Sequence, residues 1–315
     1  MRTGTLSIIL QSYESSAVLE HTADAILKHM DGEGIPVELI IVDDGSCDNS
    51  YQVAQALASS RPRVRAYRLA RNYTTPYAQF AGMFLATGDC VVSVPDDLQR
   101  PLSVVVRMYR AWQQGHQIVI GYRETRSDGW LNDLFARWYY KLMNRLSDVR
   151  FPPGGADGFL ADREVVDIIN ERISPVNTST VVEVLRLGFD PHLIPYDRPK
   201  SDRKSRWSLR KKMRLALDTF FASSSFPIRM ITILGFVMAL ISFIIIVLIV
   251  AAKLFSNNTL FGLPVQGWAT SVVITVLFNG ITLFALGIVA EYIWRIFEEV
   301  KGRPGYIIRK NDEEE

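Results

Sequence analysis

The hydrophobic and polar positions of the first 121 residues alternate between short apolar runs and longer amphipathic stretches. The apolar runs predict five strands, at residues 5–10, 37–42, 64–69, 91–94 and 117–121. Stretches with helical periodicity lie between them, at residues 15–29, 48–60, 76–86 and 101–115. Strands that alternate with helices in this way predict an α/β fold with a mostly parallel sheet and helices on both faces.

Two long apolar stretches follow near the C-terminal end. Residues 230–252 carry no charge, and residues 268–294 are apolar until Glu291. Each exceeds the roughly 20 residues that span a bilayer as a helix, so we predict transmembrane helices at 228–252 and 268–294. A buried helix of a soluble protein is the alternative.

The charges around these stretches predict an orientation. The connecting loop, 253–267, has one basic residue, whereas many flank the pair on its outer sides. The positive-inside rule then places the domain 1–206 and the tail 295–315 in the cytoplasm. The segment 207–227 mixes basic and apolar residues, which favours an amphipathic helix on an anionic membrane surface over a helix that packs between domains.

Polar residues follow three of the predicted strands, at residues 11–14, 43–46 and 96–99. The carboxyl ends of parallel strands meet at one edge of a sheet, where open α/β sheets bind ligands. A divalent cation is usually held by one or two carboxylates together with substrate phosphates. We therefore expect a nucleotide-type ligand and a metal that bridges Asp97 to a diphosphate, although Asp is also a common turn residue.

Overall composition narrows the class of partner. The 35 Lys and Arg residues nearly balance the 33 Asp and Glu residues, and a net charge of +2 gives no global field toward nucleic acid. Cys47 and Cys90 make no disulfide framework and fit a reducing compartment. The first residues lack the pattern of a signal peptide, so we expect the first domain to stay in the cytoplasm.

Several motifs, in this order, resemble those of family 2 glycosyltransferases with a GT-A fold. They are IIVDDGSCDNS at 40–50, LARNY at 69–73, AGMFLATGD at 81–89, DDLQRP at 96–101, GADGFLADREVV at 155–166, and the closing segment 287–308. With two C-terminal spans, the chain is similar to the membrane-anchored polyisoprenyl-phosphate glycosyltransferases, relatives of dolichyl-phosphate mannose synthase. That resemblance implies a GT-A catalytic domain, an interfacial helix and two transmembrane helices.

The resemblance also implies roles for particular residues. Those expected at the donor nucleotide are Gln11, Tyr13, Asp43, Asp44, Arg71 and Asp96. Those expected to bind Mg²⁺ or Mn²⁺ are Asp97 and Gln99, with Asp96 as a further candidate. The residues expected to act in catalysis are Asp157 and Asp97. Those expected at the acceptor phosphate are Arg123, Arg203, Lys204 and Arg206.

The chain departs from the family pattern at several of these positions. Pro95 stands where the usual Asp-Ala-Asp triplet has its first Asp, and Ala156 stands where a Gly usually precedes Asp157. The segments 11–15 and 73–75 also differ from the usual sequences. These differences suggest an unusual donor, altered use of metal or lost activity.

The resemblance implies inverting transfer of one sugar from a nucleotide sugar, UDP-glucose or another UDP-hexose, to undecaprenyl phosphate in the inner membrane. An amino-sugar or modified-sugar donor is the alternative within this class. A non-catalytic membrane scaffold that keeps the fold is the alternative of another class, motivated by Pro95. A processive polysaccharide synthase would need more spans. The resemblance further implies a homo-oligomer, a tetramer in relatives.

Overall fold

The structure is a computed structural model that describes residues 2–98, 100–123, 130–147, 149–152, 155–197, 226–255, 259–260, 263–264 and 268–309. The chain divides into two compact units. Within the described residues, the first unit comprises residues up to 197 together with 303–309, and the second comprises 226–302.

Seven strands and seven helices build the described part of the first unit. The strands are β1 Leu6–Ser12, β2 Val37–Asp43, β3 Val64–Arg68, β4 Cys90–Pro95, β5 Ile118–Arg123, β6 Ala156–Asp162 and β7 His192–Tyr196. The helices are α1 Leu19–Gly32, α2 Ser50–Ser60, α3 Thr75–Leu85, α4 Leu102–Gln113, α5 Trp130–Leu146, α6 Arg163–Arg172 and α7 Thr180–Arg186. The five predicted strands and four predicted helices are all present, with ends shifted by a few residues.

The seven strands form one sheet in the order β3-β2-β1-β4-β6-β5-β7. The first four are mutually parallel, and β7 runs parallel to β5. Only β6 is antiparallel to its neighbours among these strands. The α/β fold with a mostly parallel sheet is therefore confirmed. The strand order reverses between β1 and β4, and such a switch point is where open α/β sheets bind ligands.

Alternation along the strands divides the core between the two faces of the sheet. In β1, Ile8 and Leu10 face a cluster that includes residues of α1 and α4. Ile9, between them, faces a second cluster with residues of α3, α6 and α7. All three side chains are at most 1 % exposed. Because both faces are covered, the strands are nearly continuous apolar runs, and polar groups concentrate where the strands end.

The segment 303–309 returns to the first unit beside β3. The backbone N–H of Ala70 donates to the carbonyl of Ile307 at 2.9 Å, and the N–H of Arg309 donates to that of Arg68 at 2.8 Å. Tyr306 packs against the second core cluster, and burial raises the pKa of its phenol. The segment predicted only as a cytoplasmic tail thus extends the backbone pairing at the end of β3.

The second unit contains two long helices, α8 Phe226–Phe255 and α9 Trp268–Val300, and two short paired strands, β8 Thr259–Leu260 and β9 Leu263–Pro264. By length and composition, one described segment, Phe278–Val300, suffices to cross a membrane. None of its residues is buried within the chain. In α8, the described apolar segment, Phe226–Met238, is shorter than Phe278–Val300. The two-span arrangement therefore stays a prediction.

Candidate functional site

The carboxyl ends of β2, β1 and β4 bring three polar segments to one edge of the sheet. Gln11, near the end of β1, pairs with Val42 on one side and Pro95 on the other. Asp43 and Asp44 follow on one side, and Asp96 and Asp97 on the other. The predicted convergence of the strand ends is confirmed, and it lies at the switch point of the sheet.

Asp43 lies inside this edge, with its side chain fully buried. Its Oδ2 accepts a hydrogen bond from the Ser46 backbone N–H at 3.1 Å, and its Oδ1 accepts one from the Ser46 hydroxyl. The Nε of Arg68 lies 3.4 Å from Oδ2. Burial raises the pKa of the Asp43 carboxyl against the opposing effect of these partners. These contacts hold the turn after β2, and a direct role in nucleotide binding stays a prediction.

Asp44 holds a second loop. Its Oδ1 accepts from the backbone N–H of Tyr73 at 2.7 Å, and its Oδ2 accepts from that of Thr74 at 2.9 Å. The residue is 5 % exposed. Burial raises the pKa of its carboxyl to about 6, although both hydrogen bonds lower it. The carboxylate thus fixes the loop that carries Arg71.

The two loops touch at Gly45. Its φ of +67° lies in the left-handed region, and a Cβ here would collide with the backbone of Arg71 and Asn72. Thr74 has a φ of 80°, which is uncommon outside glycine and is typical of functional loops. The resulting geometry leaves Arg71 exposed, with its guanidinium 4.8 Å from the ring centre of Tyr73.

The remaining predicted donor residues lie at the same edge. The side-chain N–H of Gln11 donates to the carbonyl of Thr75 at 2.9 Å, which ties β1 to the start of α3. Tyr13 is partly exposed just beyond β1. A cation from Arg71, an aromatic ring from Tyr13 and backbone groups of two loops can bind a phosphorylated nucleoside, and this assignment stays a prediction.

The predicted metal residues follow β4. Asp96 and Asp97 are partly exposed in the turn after Pro95, and the next residue, Leu98, has a φ of 47°. Gln99 lies outside the described residues. No cluster of three or more His, Cys, Asp or Glu side chains that could hold a metal ion occurs in the described part of the chain.

These donors fit a shared cation. Mg²⁺ and Mn²⁺ prefer oxygen ligands, and Mg²⁺ is commonly held by one or two carboxylates, water and substrate phosphates. Asp96 and Asp97 supply such oxygens at the sheet edge where a diphosphate would bind. Within the described residues, the site therefore fits a cation held jointly by these carboxylates and a bound diphosphate.

A second cluster lies at the same edge, at the far side of β4. The Nη2 of Arg123, at the end of β5, lies 2.6 Å from Oδ1 of Asp157, at the start of β6. The hydroxyl of Tyr196, at the end of β7, donates to Oδ2 of Asp157. Strand pairing aligns the three, because Arg123 pairs with Tyr196, and Tyr122 pairs with Ala156. The predicted residues Arg123 and Asp157 are thus brought together.

Arg100 lies beneath this cluster, 4 % exposed. It donates to the carbonyl of Ser93, and a Cβ on Gly158 would lie 2.5 Å from its Nη1. Burial lowers the pKa of the Arg100 guanidinium, while the carboxylate of Asp157 acts in the opposite direction. Among the described residues, the buried Nε atoms of Arg100 and Arg123 have no hydrogen-bond partner. The cluster therefore combines two cations with one carboxylate.

Tyr196 and Arg100 were not among the predicted site residues. Tyr196 is at the end of β7, a strand that was not predicted. If β7 had been recognised, the rule that functional residues follow the strand ends would have identified Tyr196. Arg100 lies in the DDLQRP motif, but no local pattern indicates that its side chain is buried. Arg203, Lys204, Arg206 and the interfacial segment 207–227, except its last two residues, lie outside the described residues.

Comparison with known protein families gives two matches. Residues 7–167 match the family described as Glycosyl transferase family 2. Residues 227–314 match a domain of unknown function, DUF8752. The first match covers the strands that carry both clusters of the site.

Three curated relatives align with most of the chain. An uncharacterized glycosyltransferase of Synechocystis is 30% identical over 96% of this chain and 94% of its own. An uncharacterized glycosyltransferase of Bacillus subtilis is 30% identical over 97% and 93%. A prophage-derived bactoprenol glucosyl transferase of Shigella flexneri is 34% identical over 87% and 88%.

One solved structure resembles the chain more distantly. Glucosyl-3-phosphoglycerate synthase from Mycobacterium tuberculosis, in complex with uridine-diphosphate, is 20% identical with a TM-score of 0.49, and the match covers 69% of this chain and 79% of that one. At that score the similarity supports no conclusion about the site.

Proposed function

The chain belongs to glycosyl transferase family 2 and is a glycosyltransferase, and we propose that it transfers a single sugar from a nucleotide sugar to a polyprenyl phosphate. The proposed donor is a UDP-hexose such as UDP-glucose, and the proposed acceptor is undecaprenyl phosphate. The products are the polyprenyl-phosphate sugar and a nucleoside diphosphate, with inversion at the anomeric carbon.

One observation carries this proposal: a cationic cluster and an acidic turn lie at the same edge of one sheet. Arg123 uses one N–H to hold Asp157, and a guanidinium has five N–H donors in a fixed plane that matches phosphate. Asp97 lies in the turn after β4 at this edge. An acceptor phosphate at Arg123 and a donor diphosphate at Asp97 would meet along this edge, beside the carboxyl end of β4.

The chemistry needs orientation more than proton removal. The acceptor phosphate oxygen forms a bond to the anomeric carbon as the bond to the nucleoside diphosphate breaks, and the electron pair leaves with the diphosphate. A phosphate monoester has a second pKa of about 6, so its oxygen is already anionic at neutral pH. Asp157 then acts by orienting the guanidinium plane of Arg123. Alignment of the two reactants by itself accelerates the reaction substantially.

A bound Mg²⁺ or Mn²⁺, with Asp97, Asp96 and Gln99 as its proposed ligands, would neutralise the charge that develops on the leaving diphosphate. On the donor side, Asp44 fixes the loop of Arg71 through two backbone N–H groups. Arg71 is exposed and can contact a phosphate of the donor. We propose that Gln11, Tyr13, Asp43, Asp44 and Asp96 bind the donor nucleotide beside Arg71.

Relatives support the acceptor class. The Shigella flexneri relative is named a bactoprenol glucosyl transferase, and the match spans most of both chains. The segment Phe278–Val300 is long and apolar enough to cross a bilayer, where such a lipid lies. We propose that the enzyme lies in the cell membrane with two spans and with the catalytic unit and both termini in the cytoplasm. The resemblance to the family also implies a homo-oligomer, and this assembly stays a prediction.

The test is transfer of radiolabelled sugar from a panel of nucleotide sugars to undecaprenyl phosphate by the full-length protein in detergent. Reactions contain Mg²⁺, Mn²⁺ or EDTA, and Asp97→Asn is compared with Asp167→Asn. Asp167 is a matched control because its side chain is 50% exposed on α6. We expect one labelled lipid in the wild type and in Asp167→Asn. It should be absent when EDTA is added and absent in Asp97→Asn.

Other outcomes separate the alternatives. A labelled lipid formed only from an amino-sugar nucleotide would keep the reaction and change the donor. Transfer that survives EDTA would contradict the metal assignment. Absence of product from every donor, together with absence of nucleotide-sugar binding, would contradict the enzyme and favour the scaffold.

A further inference from the structure

The loop that carries Arg71 connects an edge strand to a helix. β3 is the first strand in the order of the sheet, where it pairs with β2, and residues 69–74 lead from its end to α3. Arg71 is exposed in this loop. An exposed connection is ordinarily more mobile than the elements that it joins, and a site that must order its loop on binding loses affinity. A phosphate-binding arginine here therefore depends on contacts that order the loop beforehand.

The segment 303–309 contacts the first half of this loop. The N–H of Ala70 donates to the carbonyl of Ile307 at 2.9 Å, and the N–H of Arg309 donates to the carbonyl of Arg68 at 2.8 Å. A bridge of this kind can cover an edge strand and so prevent its pairing with another chain. This bridge, however, is centred one residue beyond the end of β3. Its position indicates a role in the loop as well as at the strand.

The segment 303–309 is itself anchored in the core. Tyr306 and Ile308 pack against the second core cluster, whereas Ile307, between them, is 50% exposed. This alternation is that of a β-strand with one buried face. Tyr73 of the loop packs against the same cluster, so the segment and the loop rest on a common set of buried side chains.

The second half of the loop is held by Asp44, which accepts hydrogen bonds from the N–H groups of Tyr73 and Thr74. Arg71 therefore lies between two points of attachment, one at Ala70 and one at Tyr73. With both in place, the backbone at Arg71 is restricted from two sides. Such restriction lowers the entropy that a bound phosphate would otherwise have to remove.

Side chains form a second connection between the segment and Arg71. A Cβ on Gly305 would lie 2.9 Å from Cε1 of Tyr77 and 2.8 Å from Cγ of Pro175. The rings of Tyr77 and Tyr73 have their centres 6.2 Å apart, at a separation typical of aromatic pairs. The guanidinium of Arg71 lies 4.8 Å from the ring centre of Tyr73, within the range of a cation–π contact. A row of contacts thus leads from Gly305 to Arg71.

We propose that the segment 303–309 is a positioning element of the donor site, which holds Arg71 in place for a phosphate of the nucleotide sugar. This role rests on the proposed function, in which Arg71 contacts the donor. Arg309, through its backbone N–H, and Gly305, through its close approach to Tyr77, are positioning residues that do not touch the substrate. A segment that only covered the edge strand would set stability alone, whereas a positioning element also sets the affinity for the donor.

The experiment measures KM for UDP-glucose and for undecaprenyl phosphate with the full-length protein in detergent, together with the Kd of UDP by titration calorimetry in Mg²⁺. Arg309→Pro removes one N–H of the bridge and is compared with Arg309→Ala, which loses the same side chain and keeps the N–H. Gly305→Ala places a methyl group against Tyr77 and Pro175, and Gly32→Ala places one where no atom lies within 4 Å. The two pairs are independent, so the test does not depend on the folding of a single variant.

We expect Arg309→Pro to raise the KM for UDP-glucose and the Kd of UDP about fivefold relative to Arg309→Ala, as the loss of about one net hydrogen bond would. Gly305→Ala should raise both relative to Gly32→Ala. The value of kcat and the KM for undecaprenyl phosphate should stay within about twofold, because uniform binding of the donor is what the change removes.

The variant Arg71→Ala separates the positioning role from the proposed function. It should weaken UDP binding by itself, and Arg309→Pro should add less than about twofold in that background, because the segment acts through Arg71. Unchanged UDP binding in Arg71→Ala would overturn the donor site and the positioning role with it. Weaker binding in Arg71→Ala, with equal Kd values within both variant pairs, would overturn the positioning role alone. An equal rise in both KM values would also overturn that role, because a general loss of stability would produce it.

Discussion

The pairing of Asp157 with Arg123 predicts how the two residues share their work. If Asp157 acts only by orienting Arg123, its removal matters only while Arg123 is present. If Asp157 removes a proton, its loss costs rate whether or not Arg123 is there. The perturbation is therefore a double-mutant cycle of Asp157→Asn and Arg123→Ala, with kcat/KM for the polyprenyl phosphate as the measured quantity.

The magnitude follows from the geometry of the pair. The Nη2–Oδ1 distance is 2.6 Å, and the two side chains are 19% and 28% exposed. A hydrogen bond between charged groups contributes about 1.5–3 kcal/mol, and partial exposure places this one near 2 kcal/mol. At about 1.4 kcal/mol for each factor of ten, Asp157→Asn should lower kcat/KM about 30-fold.

The assay is single-sugar transfer to undecaprenyl phosphate at varied lipid concentration. Arg123→Ala should lower kcat/KM further than Asp157→Asn, because it also removes the contact to phosphate. The double variant should then equal Arg123→Ala within about a factor of two. Tyr196→Phe is the matched variant, since it removes only the donor to the second oxygen of Asp157. An additional loss of about 100-fold or more in the double variant would refute the orienting role, because a general base contributes about that much.

Three further perturbations test other parts of the structure. Arg309→Pro removes the N–H that donates to the carbonyl of Arg68 at the end of β3, so amide hydrogen exchange in residues 68–74 should become several-fold faster. Arg309→Ala keeps that N–H and should leave the exchange rates unchanged. Equal exchange rates in the two variants would contradict the pairing. Gly158→Ala should lower the free energy of unfolding by about 2 kcal/mol or more, because φ is +127° and Arg100 occupies the space that the Cβ would fill. Gly188→Ala should cost less, because φ is +82° and no atom lies within 4 Å of the added Cβ. The pKa of Asp44 is raised from 3.8 to about 6, so the folded state becomes less stable as pH rises through that range. Between about pH 5 and about pH 7, the free energy of unfolding measured in urea should fall by about 1 kcal/mol less in Asp44→Asn than in the wild type. An equal fall in both proteins would contradict the burial of that charge.

Much of the catalytic unit could be predicted because its chemistry is local. Apolar runs predicted β1 to β5, and parallel strands bring their carboxyl ends to one edge whatever the details of packing. That rule was enough to place Gln11, Asp43 and Asp97 together. The antiparallel β6 could not be predicted, because its partners β4 and β5 are separated from it in sequence and the pairing direction leaves no local pattern.

The roles within the site were harder to predict than its location. A pair of adjacent carboxylates, Asp43 and Asp44, gives no sign of which oxygens are engaged. The structure shows that Asp43 binds Ser46 and Arg68 and that Asp44 binds the loop at Tyr73. The contact to Ser46 is local, but those to Arg68 and Tyr73 join residues that are distant in sequence, and only folding creates them. Burial of Arg100 arises in the same way.

The proposed reaction adds one sugar to a polyprenyl phosphate, which changes the mass of the lipid by a defined amount. The most direct measurement is mass spectrometry of the lipid product formed by the full-length protein from undecaprenyl phosphate and UDP-glucose. We expect a lipid heavier by a single hexose, formed by the wild type and lost in Arg123→Ala. A lipid with several sugars, or a sugar product that contains no lipid, would contradict it.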